Sequence, residues 1–143
     1  MDDINQMRKL VNQAKREECR ASNDMYSHEN QANHEQSQLE TCLTYKEECL
    51  NGLKTAKDSG LSVVQIRECQ LLVQYIDSVV ETRQYKADIS QENYQQAKAV
   101  WQKKQGSLES LKQALKKLEA EYDEHMIDEI KPVHDKIYRV YDG

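Results

Sequence analysis

The feature that most constrains this sequence is a heptad repeat that runs without a skip through two long segments. Stepping alternately by three and four residues, the first series runs from Ile4 to Ala56 and the second from Ile66 to His125. Apolar residues occupy both series except at a few positions: Glu18, His28, Glu35 and Lys46 in the first, and Arg83, Ser90, Lys104 and His125 in the second. A strict seven-residue repeat drifts on a straight helix, so two such helices supercoil to keep their stripes in contact. We call these positions the seam.

A short break separates the two series. Gly60 can adopt a positive φ. Ser62 and Gln65 form the S-x-x-Q pattern of a capping box at the start of a helix. A connection this short favours antiparallel neighbours. The sequence therefore predicts an all-α fold, a long antiparallel two-helix coiled-coil hairpin that forms one domain over residues 1–143. Its predicted parts are helix one at about 3–56, a turn at 57–61, helix two at about 62–131 and a C-terminal tail at 132–143.

Two further expectations concern the second helix. Pro132 lacks an N–H and disfavours helix in the preceding residue, so we expect the helix to end there. We also expect a register in which Glu18 faces Lys104, because two polar interruptions that meet help to fix how the helices align.

Composition argues against several classes of function. The net charge of −5 is the wrong sign for nucleic acid, which needs a concentrated basic surface. No phosphate-binding loop, dinucleotide fingerprint or H-E-x-x-H motif is present, so we predict no catalytic residues, no cofactor and no enzyme activity. The histidines are scattered along the chain, which predicts no metal site: His28, His34, His125 and His134.

The cysteines and the start of the chain bear on localisation. Cys42, Cys49 and Cys69 occupy seam positions, where a thiol packs as a modest hydrophobe. The four cysteines form no close C-x-x-C pair of the kind that indicates a structural metal or redox site. Residues 1–15 lack the apolar stretch of a secretory signal, and no span reaches transmembrane length. We therefore expect a cytoplasmic protein without direct membrane insertion.

Four aromatic residues are candidates for recognition. Trp101 lies in the seam, where packing near Ala21 explains it. Tyr45, Tyr75 and Tyr85 lie outside the seam, and exposed aromatic rings on a charged coiled coil are more informative about binding.

The order of these features resembles the FliJ/YscO family of flagellar and virulence type III secretion. The resemblance rests on Gln38 to Tyr45, the break at Ser59-Gly60-Leu61-Ser62, Leu72 and Ile76, the segment Val100-Trp101-Gln102-Lys103-Lys104, and Met126-Ile127-Asp128-Glu129 near the C-terminus. It does not separate the flagellar from the virulence system.

The resemblance implies a role as the central stalk of a type III protein export apparatus. The paired termini would insert into a hexameric export ATPase ring, and the turn would face the cytoplasmic domain of the export gate. Export chaperones are further implied partners, with the chain monomeric on its own and peripheral at the base of a membrane-embedded apparatus.

Carried over by position, the resemblance places gate-binding residues near the turn: Gln38, Cys42, Tyr45, Cys49, Leu72, Ile76, Val79 and Arg83. Gln38 and Tyr45 match the family pattern, Leu72 and Ile76 are conservative, and the others depart from it. On the side of the ATPase ring we expect weak, switchable contacts from four cations on the paired termini: Lys9, Arg16, Lys112 and Lys116.

Two other classes of function compete with the stalk. One is a cytoplasmic escort or chaperone that binds export chaperones or the amphipathic helix of a secreted client in the groove beyond Tyr122. The other is a purely structural coil that dimerises through its seam into a four-helix bundle.

Overall fold

The computed structural model describes the backbone of residues 2–142 and the side chains of residues 2–129. It contains two helices, α1 (Asp2–Asp58) and α2 (Val63–Asp142), packed against each other. The prediction of an all-α helical hairpin is confirmed. Helix formation follows from a sequence with only four glycines and one proline, since these two residues are the strongest helix breakers. Asp2 and Asp3 in the first turn of α1 and Lys57 in its last turn complement the helix dipole.

The paired helices divide into two units. The terminal unit contains the chain up to Ala21 and from Val100 onward, and the turn unit is Ser22–Ala99. Both helices contribute to each unit, so every unit is a helix pair with its own packed seam.

The buried residues are those of the predicted seam. All ten apolar side chains that form the core are seam positions: Ile4, Val11, Ala14, Met25, Ala32, Leu39, Ile76, Ala87, Ala97 and Leu108. Among the described side chains none is fully buried, because each residue between two helices keeps one edge open to solvent. The core is therefore a single line of contacts, and every residue on its flank remains accessible.

The terminal unit is held by apolar packing and by two polar contacts beside it. Leu108 packs with Val11 and Ala14 in its core. The indole Nε1 of Trp101 donates to Glu18 Oε1 at 2.9 Å, and Lys104 Nζ lies 3.3 Å from Oε2 of Glu17. The predicted pairing of Glu18 with Lys104 is therefore correct for the layer in which Lys104 lies but not for its partner. Lys104 reaches this layer but pairs with the preceding glutamate, because the tryptophan N–H takes the Glu18 carboxylate.

The turn unit closes at residues 59–62. The Ser62 N–H donates to Gln65 Oε1 at 3.1 Å, and the Gln65 N–H donates to Ser62 Oγ at 3.2 Å. This reciprocal pair is the predicted capping box. Gly60 has a φ of 87° and its N–H donates to the carbonyl of Lys57, so the turn uses a conformation that favours glycine.

The predicted end of the second helix is wrong. The expectation was an end near residue 131 and a separate tail at 132–143, whereas α2 continues through Pro132 to Asp142. A proline inside a helix removes one hydrogen bond, here to the carbonyl of Asp128. Asp128 is exposed, so water can satisfy that carbonyl. The side chains from residue 130 onward, His134 included, lie outside the described ones.

No helix in the described part of the chain has a stretch long and apolar enough to cross a lipid bilayer.

Substitution of two glycines by alanine should change stability in opposite directions. A Cβ added at Gly60 or at Gly106 meets nothing within 4 Å, so a steric clash does not contribute to the change in stability at either position. Gly60→Ala should lower the free energy of unfolding by about 1 kcal/mol, because alanine resists a positive φ. Gly106→Ala, inside α2, should raise it by about 0.5–1 kcal/mol. Urea unfolding followed by far-ultraviolet circular dichroism measures both, and a stabilising Gly60→Ala would contradict the turn geometry.

Candidate protein-binding site

An apolar groove lies between the two helices of the turn unit. Its volume is about 340 Å³. Six residues line it: Thr41, Cys42 and Tyr45 from α1, and Tyr75, Ile76 and Val79 from α2. Tyr45 is 53% exposed and Tyr75 is 68% exposed. A concave apolar surface flanked by two accessible aromatic rings has the character of a protein-binding site.

The spacing of the sequence explains why a groove opens at this point. Ile76, at 4% exposure, forms the floor from a seam position. Cys42 is the α1 seam residue beside it, and a thiol is smaller than the leucine or isoleucine that usually fills such a position. Tyr45 lies three residues after Cys42, and Val79 lies three after Ile76, so both side chains stand beside the seam on the same stretch of their helices.

Tyr45 is held by a neighbour on its own helix. A hydrogen bond with the Cys49 side chain, one turn later, raises the pKa of Tyr45 above its ordinary value, and the nearby Glu48 carboxylate acts in the same direction. The phenol therefore stays neutral at physiological pH. A neutral tyrosine presents an aromatic face and one polar hydroxyl to a partner.

Two ion pairs cross between the helices in the turn unit. Lys46 Nζ lies 2.6 Å from Oδ1 of Asp77, and this pair is partly exposed. Arg83 Nη1 lies 3.9 Å from Oε2 of Glu35, which is an electrostatic contact too long to be a hydrogen bond. That Glu35 oxygen is buried and has no hydrogen-bond partner among the described residues. Arg83 is therefore the cation that compensates a seam carboxylate.

The structure brings together half of the residues expected to bind the export gate. Cys42, Tyr45, Ile76 and Val79 line one groove. The other four lie around it in different settings, with Gln38 and Cys49 half-buried on α1, Leu72 exposed on α2 and Arg83 engaged with Glu35. Whether these side chains bind the gate stays a prediction.

Two groove residues were absent from the expected set. Thr41 and Tyr75 line the groove but belong neither to the seam nor to the gate-binding residues carried over from the family. For Tyr75 a signal existed in the sequence, because a tyrosine outside the seam of a charged coil is an exposed aromatic residue. Thr41 carries no comparable signal, since its position on the rim depends on the register between the helices.

The four cations expected to contact the ATPase all lie in the terminal unit. Lys9, Arg16, Lys112 and Lys116 are exposed. In the described part of the chain the ion pairs between helices of this unit use Arg8 with Glu119 and Lys104 with Glu17 instead. The four expected side chains are thus solvent-facing charges.

Within residues 2–129, no group of three or more His, Cys, Asp or Glu side chains is placed to hold a metal ion.

These features define a class, a helical-hairpin protein whose surfaces are suited to binding other proteins. The family model described as the flagellar FliJ protein matches residues 3–131. The chain belongs to the FliJ family, and this family is a non-catalytic component of flagellar type III protein export. No curated protein and no solved structure matches the chain in the corresponding searches.

Removal of Arg83 should reveal the cost of leaving the buried Oε2 atom of Glu35 without a compensating cation. We expect Arg83→Leu to lower the free energy of unfolding by about 1–3 kcal/mol, because a buried acceptor loses its compensating cation. The double variant Glu35→Leu/Arg83→Leu should return to within about 1 kcal/mol of the parent protein.

Lys46→Leu is the matched control. Its partner Asp77 is half exposed, so the expected loss is at most about 1 kcal/mol. Urea unfolding measures the free energy of unfolding of the parent protein, the two single variants and the double variant. Equal, small losses for Arg83→Leu and Lys46→Leu would show that Glu35 is solvated without its arginine.

Proposed function

We propose that this protein is a cytoplasmic, non-enzymatic stalk that links the hexameric export ATPase to the cytoplasmic domain of the export gate. The observation that carries this proposal is the distribution of two surfaces within a FliJ-family chain. The terminal unit bears exposed cations, and the turn unit bears an apolar groove with exposed tyrosines. The two surfaces suit two partners of different chemistry.

The apolar groove is the surface assigned to the gate. An apolar floor at Ile76 between the rings of Tyr45 and Tyr75 gives the aromatic anchors and the desolvated pocket on which binding energy concentrates. The ion pairs formed by Lys46 and Arg83 in the same unit keep the two walls of the groove in register.

The cationic surface is the one assigned to the ATPase ring. Exposed ion pairs are individually worth about 0–1 kcal/mol, so Lys9, Arg16, Lys112 and Lys116 form contacts that break and re-form as ring subunits change state. A stalk passes information from ring to gate only if it binds the conformations of the ring with different affinities. Weak contacts spread around the helix pair satisfy this requirement better than one tight site.

A second candidate function is an escort for export chaperones or for an amphipathic helix of an exported client. The observation that favours it is that α2 is exposed at every position from 123 to 129, including Met126 and Ile127. Such a stretch offers the apolar side chain of Ile127, which is 63% exposed, and part of that of Met126, which is 37% exposed. It remains compatible with membership of the same family.

Substitution in the groove should weaken binding to the gate. We expect Tyr45→Ala to reduce the affinity for the cytoplasmic domain of the gate at least about tenfold, the scale of an aromatic hot spot. Tyr26→Ala is the control, because Tyr26 is a similarly exposed tyrosine of the turn unit that lies outside the groove. Calorimetry or surface plasmon resonance measures both. Equal affinity of the two variants would refute the assignment of the groove.

Charge reversal in the terminal unit should abolish the effect on the ATPase. We expect the parent protein to stimulate ATP hydrolysis by the hexameric ATPase, and the variant with Glu at Lys9, Arg16, Lys112 and Lys116 to lose stimulation and ring binding. The control reverses four exposed cations of the turn unit, Lys54, Lys57, Arg67 and Lys86, with the same change in net charge.

The two experiments also separate the candidate functions. The stalk is supported if the charge-reversal variant of the terminal unit loses stimulation of the ATPase while the charge-reversal control of the turn unit retains it. The escort function would replace the stalk function if two results were obtained together. The parent protein would not stimulate the ATPase, and it would bind an export chaperone in a way that Ile127→Lys abolishes.

A further inference from the structure

The outer face of α2 in the turn unit carries a stripe of uncharged residues, four of which are exposed large hydrophobic side chains. Stepping alternately by four and three residues from position 71, the stripe contains six residues: Leu71, Tyr75, Ser78, Thr82, Tyr85 and Ile89. All six are exposed, and Leu71, Tyr75 and Tyr85 expose 58%, 68% and 66% of their surface. None of them is charged. With the seam residue Ile66 as position a of the heptad, they occupy positions c and f, outside the seam, and Tyr75 also borders the groove beside α1.

This pattern differs from ordinary surface exposure. Single apolar residues on a protein surface need no explanation. A heptad-spaced, charge-free stripe over five turns of a chain that is 31% charged is what a helix presents to another helix. The seam contacts of α2 are already made by α1, so the stripe is available to a further helix.

The stripe is symmetric about its centre. Leu71 and Ile89 lie nine residues on either side of position 80, Tyr75 and Tyr85 lie five, and Ser78 and Thr82 lie two. Each residue therefore has a counterpart of the same chemical kind at the mirrored position. An antiparallel contact between two identical stripes places each residue against its counterpart, which is the self-complementarity that a twofold interface requires.

We propose that this stripe is a twofold contact between two copies of the chain, formed by the α2 helices of two turn units packed antiparallel. In this arrangement Tyr75 of each copy meets Tyr85 of the other, and Leu71 meets Ile89. Aromatic pairs of this kind contribute beyond their buried area. The expected dimer thus differs both from a four-helix bundle formed by exchange of the seams and from the lone monomer that the family resemblance implies.

The centre of the stripe suits a close crossing of two helices. Ser78 and Thr82 are its small residues, and small side chains at a crossing point let two helix backbones approach. The Thr82 hydroxyl donates to the carbonyl of Ser78 at 3.2 Å. Burial of Thr82 against a second copy therefore leaves no unpaired donor and presents its methyl group.

The residues beside the centre contribute in opposite directions. Val79 is half-buried on one flank of the stripe. The twofold axis brings it near Val79 of the second copy, which adds an apolar contact. Glu81 is exposed on the other flank, and the same axis brings two negative charges together. Salt screens exposed charges, so the dimer should strengthen as ionic strength rises. Glu81→Gln should have the same effect at low salt.

The groove and the stripe share one residue. Tyr75 lines the groove and belongs to the stripe, so a copy that uses this ring in a dimer cannot offer it to another protein. Self-association therefore competes with any partner that binds the groove through Tyr75.

Two double variants at the same positions test the contact and its direction. In the antiparallel dimer, Tyr75→Lys/Tyr85→Glu places opposite charges against each other, whereas Tyr75→Lys/Tyr85→Lys places like charges together. We expect the parent protein to have the mass of two chains. This dimer should dissociate on dilution, since a single helix face is a small interface. The Lys/Glu variant should retain the dimer, and the Lys/Lys variant should weaken it by at least about tenfold.

Sedimentation velocity over a concentration series gives the mass, and circular dichroism verifies that each variant is as helical as the parent. Tyr26→Lys, at an exposed tyrosine on α1, is the control that should leave the dimer unchanged. A parent protein with the mass of one chain up to about 1 mM would overturn the proposal and leave the stripe to a helix of another protein. A dimer that persists in both double variants would also overturn it, because it would have to form elsewhere.

Discussion

The contact on which this structure depends is the intramolecular seam, in which each helix buries the apolar stripe of the other. An isolated helix gains most of its stability from such packing, and here both stripes belong to one chain. Gly60 and the capping box at Ser62 and Gln65 reverse the chain so that the two stripes meet. The chain therefore satisfies its own strongest association surface. What remains for other proteins is the flank of the seam and the outer faces of the helices.

The thinness of the seam also determines where function can reside. Two helices cannot enclose a cavity with several convergent polar groups, which is the arrangement that catalysis requires. They can form shallow grooves where a seam residue is small, as at Cys42 beside Ile76. Polar seam residues act differently, because each needs a compensating partner. Glu18 accepts from Trp101, and Glu35 faces Arg83, so these positions favour one alignment of the helices over others.

The elements that could be predicted from the sequence are those set by local rules. The seam, the turn and the capping box follow from heptad spacing, from glycine and from the side chains that satisfy helix ends. The continuation of α2 through Pro132 could not be predicted in this way, because the preference of proline against helices is a local average that one solvated carbonyl can offset. The pairing of Lys104 with Glu17 depends on rotation of the helices by a fraction of a turn. The rim of the groove at Thr41 and Tyr75 depends on the same rotation.

The distribution of surfaces in the turn unit constrains how a protein of this family can act. A surface that binds one partner strongly at all times transmits nothing, because transmission needs a difference in affinity between states. Tyr75 provides such a difference if the groove and the outer stripe of α2 compete for it, since occupancy of one surface then lowers the availability of the other. In the proposed stalk, the terminal unit would obtain the same result by a different route, because contacts made by its exposed cations are individually weak. In both units the seam holds the helices together while most of the candidate binding residues stay on its flank, and only Cys42 and Ile76 belong to both the seam and the groove.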